Sequence, residues 1–379
     1  MNNFKNKNVL IFFYAYPAYK VGGPVHSIES ITELLGEEID FTIVSPNKDL
    51  DGSLLNADEI TRSTKNSSFH YISFFNLNWF FKFFKDNRFD YVYINSFFSI
   101  TYFSLMFLSR IFLSNKIILA PRGQFSNGAM SKNNFIKKTY ILIFKIFTRK
   151  IVYKFHATNT NEKNEIINAL NVDPNKITVA RNLRFLKPVK NFFISKKKIN
   201  KLKLVFYSRI VPKKNLLLII EYLLKINNPN VCLDIYGTYE DYEYFIKCKN
   251  LIKSSNSDTL FSFKGSLTPN EVLDVLSNYD FFILPTKNEN FGHVIVESLY
   301  ASCPVILSPN TPFSDMVESR NIGYIFQLDN FSEFDLLIND LLKINKYTHK
   351  QLIKNIYNYL QQFEIENKKL LKNYQKLFN

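Results

Sequence analysis

The residues best suited to chemistry lie in the run ILPTKNENFGHVIVESLYASCPVI, where Glu289 precedes Glu297 by eight positions, with Asn290, Phe291 and Gly292 between them. Eight residues fall about 80° out of alignment on a helix of about 3.6 residues per turn. The two carboxylates therefore do not simply share one helix face. Glu289 belongs in a loop after the strand Phe281–Pro285, and Glu297 inside a helix starting near Gly292. The first can reach a sugar hydroxyl and the second a ribose diol, while the helix-start amides between them suit a diphosphate. The plain alternative is a polar loop followed by an amphipathic helix.

Cations accompany these carboxylates. The segment LVFYSRIVPKKNLLLII puts Arg209 directly after a strand and Lys214 five residues later, at the start of a helix beginning near Asn215. Two cations at a strand end beside a helix N-terminus make a site for a diphosphate, whose charge must be held and then stabilised as it leaves. Basic residues merely solvated at a strand end are the alternative. Near the start of the chain, YPAYKVGGPVHSIESI places Gly22 and Gly23 in a loop before a helix that opens near Pro24. Adjacent glycines let the backbone approach a ligand closely, although an ordinary flexible loop has the same look. The fingerprint GxGxxG is absent, which argues against a nicotinamide enzyme.

Such residues act together only if a scaffold brings them to one edge. Short runs rich in Val, Ile, Phe and Tyr alternate with amphipathic stretches, the pattern of parallel sheets wound with helices. The first half offers strands at Val9–Tyr14, Phe41–Ser45, Tyr91–Asn95, Lys116–Ala120, Phe155–Thr158 and Ile177–Ala180. The second offers Leu202–Tyr207, Cys232–Tyr236, Leu260–Lys264, Phe281–Pro285, Pro304–Leu307 and Gly323–Phe326. Between them FLKPVKNFFISKKKINK mixes a Pro with a basic run and reads as a linker. Two domains are expected, residues 1–189 and 190–379, with polar helices from about Lys350 that pack back on the first. Ligands of open α/β sheets bind beyond the carboxyl ends of the strands, so the two domains are expected to face one another across a cleft.

Composition fits a chain folded throughout: 46% hydrophobic, 21% charged, only ten Gly and thirteen Pro. Cys232, Cys248 and Cys303 lie far apart without zinc-ligand spacing and read as reduced core thiols. The N-terminal run lacks a cleavage site and reads as a buried strand. No stretch reaches the ~18 apolar residues of a membrane span; the nearest, Phe97 to Leu113, reads as a buried helix. The net charge of +15 is one-sided. No Asp or Glu occurs between Asp90 and Glu162, where ten basic residues do, a field that favours nucleic acid or an acidic lipid surface.

The motifs together give the chain a resemblance. Over nearly its whole length it is similar to retaining glycosyltransferases of family 4 (glycosyl transferases group 1), which have the GT-B fold, an α/β architecture of two Rossmann-like doubly wound domains. The matching residues are the Gly22-Gly23 loop, the PRG of Pro121 to Gly123, the Arg209/Lys214 pair and the Glu289 to Glu297 signature. The resemblance implies that Arg209, Lys214 and Glu289 are catalytic. Arg209 and Lys214 would bind the donor diphosphate, Glu289 the donor sugar hydroxyls and Glu297 the ribose. The backbone of Asn290, Phe291 and Gly292 would meet sugar and phosphates, and Gly22 and Gly23 would close over the distal phosphate. Gly265, Ser266 and Leu267, in FKGSL, stand at the usual place of the nucleobase, and Arg122 and Gly123 would face the acceptor or the donor sugar. Many relatives carry a His at the end of the strand that here reads YVYINSFFS; this chain offers Asn95 and Ser96, with Asn95 at the acceptor.

The implied donor is a nucleoside diphosphate sugar, UDP- or GDP-linked, used with retention of configuration. No cofactor is expected, and no DxD-type pair at a strand end points to a metal. The implied acceptor is a polyprenyl diphosphate-linked glycan in surface polysaccharide assembly (O-antigen or capsule), at the cytoplasmic face of the membrane. In NNFIKKTYILIFKIFTRK, Ile136, Tyr140, Phe144 and Phe147 line one side at helical spacing, with Lys138, Lys145 and Arg149 on another. Such a basic amphipathic helix can lie on anionic lipid or simply cover its sheet. Three other readings are a non-catalytic glycan or nucleotide-sugar module, a nucleic-acid-binding protein and an epimerase. No nucleic-acid motif accompanies the charge.

Overall fold

Strands form where apolar runs are covered on both faces. All five residues of Tyr91–Asn95 and all four of Phe281–Leu284 are buried, as expected of central strands in parallel sheets. The computed structural model describes residues 7–13, 23–46, 67–72, 82–83, 85–98, 116–126, 129–130, 134–147, 150–184, 186–190, 192–194, 197–198 and 200–379. They fall into two compact units, Met1–Arg184 with Glu366–Asn379, and Phe185–Ile365.

The first unit runs β1 (Lys7–Phe12), α1 (Gly23–Leu35), β2 (Ile39–Pro46), β3 (Ser67–Ile72), β4 (Tyr91–Asn95), β5 (Lys116–Ala120), α2 (Asn134–Phe147), β6 (Val152–Ala157), α3 (Thr160–Leu170) and β7 (Ile177–Val179). Its seven strands pair in parallel in the order β3-β2-β1-β4-β5-β6-β7. The order reverses between β1 and β4, which makes the sheet doubly wound and Rossmann-like. β3 escaped the sequence reading because it is an edge strand whose Ser67, Ser68 and His70 break the apolar run.

The second unit runs β8 (Leu202–Tyr207), α4 (Leu216–Ile226), β9 (Val231–Tyr236), α5 (Tyr242–Lys253), β10 (Leu260–Gly265), α6 (Pro269–Leu276), β11 (Phe281–Leu284), α7 (His293–Tyr300), β12 (Val305–Leu307), α8 (Ser314–Ser319), β13 (Gly323–Ile325) and α9 (Phe331–Lys343). Its parallel order β10-β9-β8-β11-β12-β13 reverses between β8 and β11. The long α10 (Lys346–Leu377) begins in this unit, and its residues from Glu366 belong to the first. There Phe378 packs on Phe41, Tyr91 and Tyr93, and Tyr374 donates to the Arg181 carbonyl at 2.9 Å.

Several expectations need adjustment. Gly23 is the first residue of α1 rather than part of the loop before it, and Gly22 lies outside the described residues. So do Tyr14, residues 99–113 of the expected buried helix, and Arg149. On α2, Tyr140 and Phe144 turn inward as expected, but Ile136 is 68% exposed and Ile141 takes its place inside. The helix is apolar nearly all round, so periodicity alone misassigns its inner face.

Candidate active site

In a doubly wound sheet the loops leaving the two strands at the order reversal splay apart and open a crevice. In the second unit those strands are β8 and β11, and the loops that follow them carry Lys214 and Glu289. Lys214 ends a 3-10 turn, Pro212–Lys214, that follows β8 and leads into α4, whose N-cap is Asn215, where the helix start was expected. Glu289 lies in the loop after β11. The Lys214 ammonium donates directly to the Glu289 carboxylate, with side chains only 9% and 13% exposed. Burial pushes the Glu289 carboxyl up, but the Lys214 ammonium, Lys213 and the Asn290 amide outweigh it and hold the group below the usual carboxylate range.

The loop carrying Glu289 is pinned from both sides. The Lys287 N–H donates to the Lys213 carbonyl at 2.9 Å, and the Glu289 N–H to the Asn310 carbonyl at 3.0 Å. The Ser308 hydroxyl donates to the Thr286 carbonyl at 2.6 Å. The carboxylate is thus positioned by backbone anchors on both flanks, the arrangement a preorganised binding group needs.

Arg209 follows β8 directly and is half-exposed. Its guanidinium donates at 2.7 Å to Glu240, in the loop after β9. Gly237 brings these two loops together: its φ is 153°, and a Cβ there would stand 1.8 Å from the Ser208 carbonyl oxygen. Its N–H donates to the Gly265 carbonyl at 2.8 Å, so the ends of β8, β9 and β10 are stitched at one edge. Gly265 has φ +81° and open space where a side chain would be. After it, Ser266 is exposed and Leu267 half-buried against the core.

Gly292 caps α7 with φ +80°. A Cβ there would meet Ile295 at 2.7 Å and the Glu289 side chain at 3.2 Å, so glycine lets the helix start lie against the acidic loop. Phe291 turns its ring into the core beside His293 and Phe313, leaving only its backbone toward the helix start. Asn290 is half-buried, and its N–H donates to the Glu289 side chain at 3.2 Å. Glu297, in the second turn of α7, is 2% exposed.

The first unit presents its own cluster beyond β4 and β5. Arg122 has φ 57° and spends three of its N–H donors on neighbours: Nε on Asn95 Oδ1 (2.5 Å), Nη1 on Asn182 Oδ1 (2.6 Å) and Nη2 on the Tyr93 hydroxyl (2.8 Å). The His156 Nε2 faces the Ala180 carbonyl at 2.8 Å and must carry the proton, so Nδ1 accepts from the Tyr93 hydroxyl at 2.6 Å. Burial, reinforced by Arg122, pushes His156 down to about 3; burial also pushes the Tyr93 phenol up to about 12. The Gly123 N–H donates at 2.6 Å to Glu162, whose other oxygen accepts from Thr158. Asn95 is 1% exposed, and its Nδ2 has no hydrogen-bond partner among the described residues. Gly23 opens the helix after β1, the strand that pairs with β4 at the reversal.

The structure therefore joins Lys214 to Glu289, gathers Gly292 and Asn290 around them, and joins Asn95 to Arg122. Arg209 it pairs elsewhere, with Glu240. Glu240 and Gly237 were missed by sequence reasoning; the Gly directly after the apolar run VCLDIY was the available signal.

Residues 189–359 match the family model described as Glycosyl transferases group 1. The alpha-1,3/1,6-mannosyltransferase ALG2 of Mus musculus is 25% identical over 161 residues, 39% of this chain and 37% of that protein. Protein CapJ of Staphylococcus aureus is 29% identical over 138 residues, 35% of this chain and 34% of that one. The matched segment thus spans little more than a third of either relative. In overall fold the chain is similar to Anabaena Alr3699/HepE, solved in complex with UDP-glucose: TM-score 0.71 and 13% identity over 97% of this chain and 99% of that one.

Proposed function

Because residues 189–359 match the glycosyl transferases group 1 model and the fold is similar to that of the Anabaena HepE structure, we propose that the chain is a retaining, metal-independent hexosyltransferase of family 4. Its donor is a nucleoside diphosphate sugar, uridine- or guanosine-linked. Its acceptor is a lipid-linked glycan of surface polysaccharide assembly, met at the cytoplasmic face of an anionic membrane. The observation that carries the transfer reading is the buried Lys214–Glu289 pair at the strand-order reversal of the second unit. The UDP-glucose held by the Anabaena neighbour supports a uridine donor, and the mannosyltransferase name of the mouse relative supports hexosyl transfer.

The chemistry follows from charge. With a diphosphate in the crevice, Lys214 turns part of its hydrogen bonding from Glu289 to phosphate oxygens, and Glu289 accepts from hydroxyls of the donor sugar. Arg209 exchanges Glu240 for the same phosphates. The Gly292 helix start adds backbone N–H groups. The bond from the anomeric carbon to the diphosphate breaks as the acceptor oxygen attacks from the same face. The acceptor proton passes to the departing phosphate oxygen, so no protein base is required. Cations aimed at that oxygen stabilise charge that grows only in the transition state. In the first unit the Asn95 Nδ2, a buried donor without a partner among the described residues, supports a role toward an acceptor oxygen. Arg122 holds that amide in place and is a positioning residue in this reading.

The test is release of nucleoside diphosphate from a panel of donors, with and without acceptor. Lys214→Ala and Glu289→Ala are expected to lower turnover by roughly 10²–10³-fold. Wild-type turnover in either folded variant overturns the site. Binding without turnover would leave a non-catalytic module, and donor consumption without acceptor an epimerase.

A further inference from the structure

α2 presents a solvent face that a water-exposed helix has no reason to carry. At about 100° per residue, Tyr140, Ile141 and Phe144 share one side; Ile141 and Phe144 are buried, and Tyr140 packs on Phe97 and Phe98. The opposite arc, about 120° wide, holds Phe135, Ile136, Leu142, Ile143 and Ile146, exposed by 83, 68, 58, 41 and 65%. Thr139 is its only polar member. The usual outward face of a surface helix is charged; here Lys138 and Lys145 stand along one margin of the arc, and Lys137 turns away from it to Phe98 and the Ala129 carbonyl. No acidic residue lies on α2 or anywhere between Asp90 and Glu162.

We infer that this face is a docking surface for an anionic phospholipid bilayer. The five apolar side chains sink below the headgroups, and Lys138 and Lys145 remain at phosphate level, the disposition of an interfacial helix. Charge complementarity selects this occupant. A second copy of the chain docked face to face would bring the same lysines together without an acidic partner from this region, and nucleic acid would not need the apolar row. α2 lies in the plane of the surface and does not cross it: no helix among the described residues is long and apolar enough to span a membrane. The inference deepens the proposed function, resting on it only for the membrane-linked acceptor; the docking itself does not depend on transfer.

The experiment floats the full chain with vesicles of phosphatidylcholine, alone or mixed with phosphatidylglycerol, at low and high salt. Binding is expected only with phosphatidylglycerol and is expected to weaken with salt. Leu142→Glu with Ile146→Glu should weaken partitioning by ~10-fold or more, and Lys138→Ala by about 5-fold. Both positions are exposed, so an unchanged melting temperature is expected and certifies the fold. Equal partitioning of the folded double variant and the wild type overturns the proposal, as does equal binding to neutral vesicles. So does a salt-stable wild-type dimer that the double variant dissolves. Nucleotide release with a water-soluble short-chain acceptor should survive in the double variant. Vesicle binding without any such release in the wild type would overturn the transfer reading alone.

Discussion

The Lys214 ammonium donates to the Glu289 carboxylate across the strand-order reversal of the second sheet, joining loops that follow β8 and β11. Both side chains are nearly buried, so removing one charge strands the other. Lys214→Met should destabilise by about 3–5 kcal/mol, and adding Glu289→Gln should restore much of it. With its pKa depressed, Glu289 lends stability that is complete above the ordinary carboxylate range and is lost as pH falls through the lower folded value. In Lys214→Met burial acts with far less opposition, the pKa rises, and the deficit should shrink on acidification. Denaturant melts of the wild type and the two variants against pH check this; a deficit that does not change with pH refutes it.

Glu240 competes with a ligand for Arg209. The pair is half-exposed, and such pairs are worth about 0.2–1 kcal/mol. Glu240→Gln should therefore lower KM for the donor by up to about 5-fold with kcat nearly unchanged. A raised KM would mean that Glu240 itself holds the substrate.

Asn95 offers a clean separation of support from contact. Asn95→Asp keeps an oxygen for Arg122 Nε but removes the Nδ2 donor, which has no partner among the described residues. The melting temperature should hold or rise, while acceptor KM should rise by roughly tenfold, the equivalent of about 1.4 kcal/mol for one hydrogen bond. An unchanged KM would remove Asn95 from the acceptor site.

Gly237 tests the stitching of β8, β9 and β10. Gly237→Ala places a methyl against the Ser208 carbonyl and strains a positive φ, so it should cost about 3 kcal/mol or more, with donor binding weakened. Calorimetry and a donor titration on the variant are the checks.

His156 stays neutral in the folded chain down to about pH 3, whereas an unfolded histidine takes its proton near 6.5. Between those values the unfolded state binds more protons, so stability falls as pH drops, by up to about 1.4 kcal/mol per pH unit. His349, also lowered by burial, adds a contribution of the same sign. His156→Gln should flatten this acid limb without abolishing it; an unaltered slope would show that His156 does not titrate with unfolding.

Most of the scaffold was legible because strands covered on both faces write themselves as unbroken apolar runs, and ten of the residues from Tyr91–Asn95 and Lys116–Ala120 fall where expected. Polar edge strand β3 left no such run. The loop after β11 and the glycine start of α7 were also readable, since Gly292 follows the acidic loop directly. Pairings across long separations were not: nothing local in the sequence says that Lys214 meets Glu289, that Arg209 turns to Glu240, or that Arg122 is clasped by Asn95, Asn182 and Tyr93. Those depend on which strand ends become neighbours, a property of sheet order. The inner face of α2 was misjudged for a different reason. A helix carrying Ile, Leu and Phe around most of its circumference gives periodicity little contrast to report.

α10 has a consequence for how the chain is made. Because Phe378 seats against Phe41, Tyr91 and Tyr93, while Tyr153, Lys154 and Lys7 donate to carbonyls of residues 376–379, the first unit is not finished until these residues have been made. Its nascent portion leaves the ribosome with an aromatic socket unfilled, and the later-synthesised second unit, contiguous in the chain, can close before it. Order of birth and order of completion are thereby reversed, and a fragment ending at Arg184 would need the tail supplied as a separate peptide to reach its native packing.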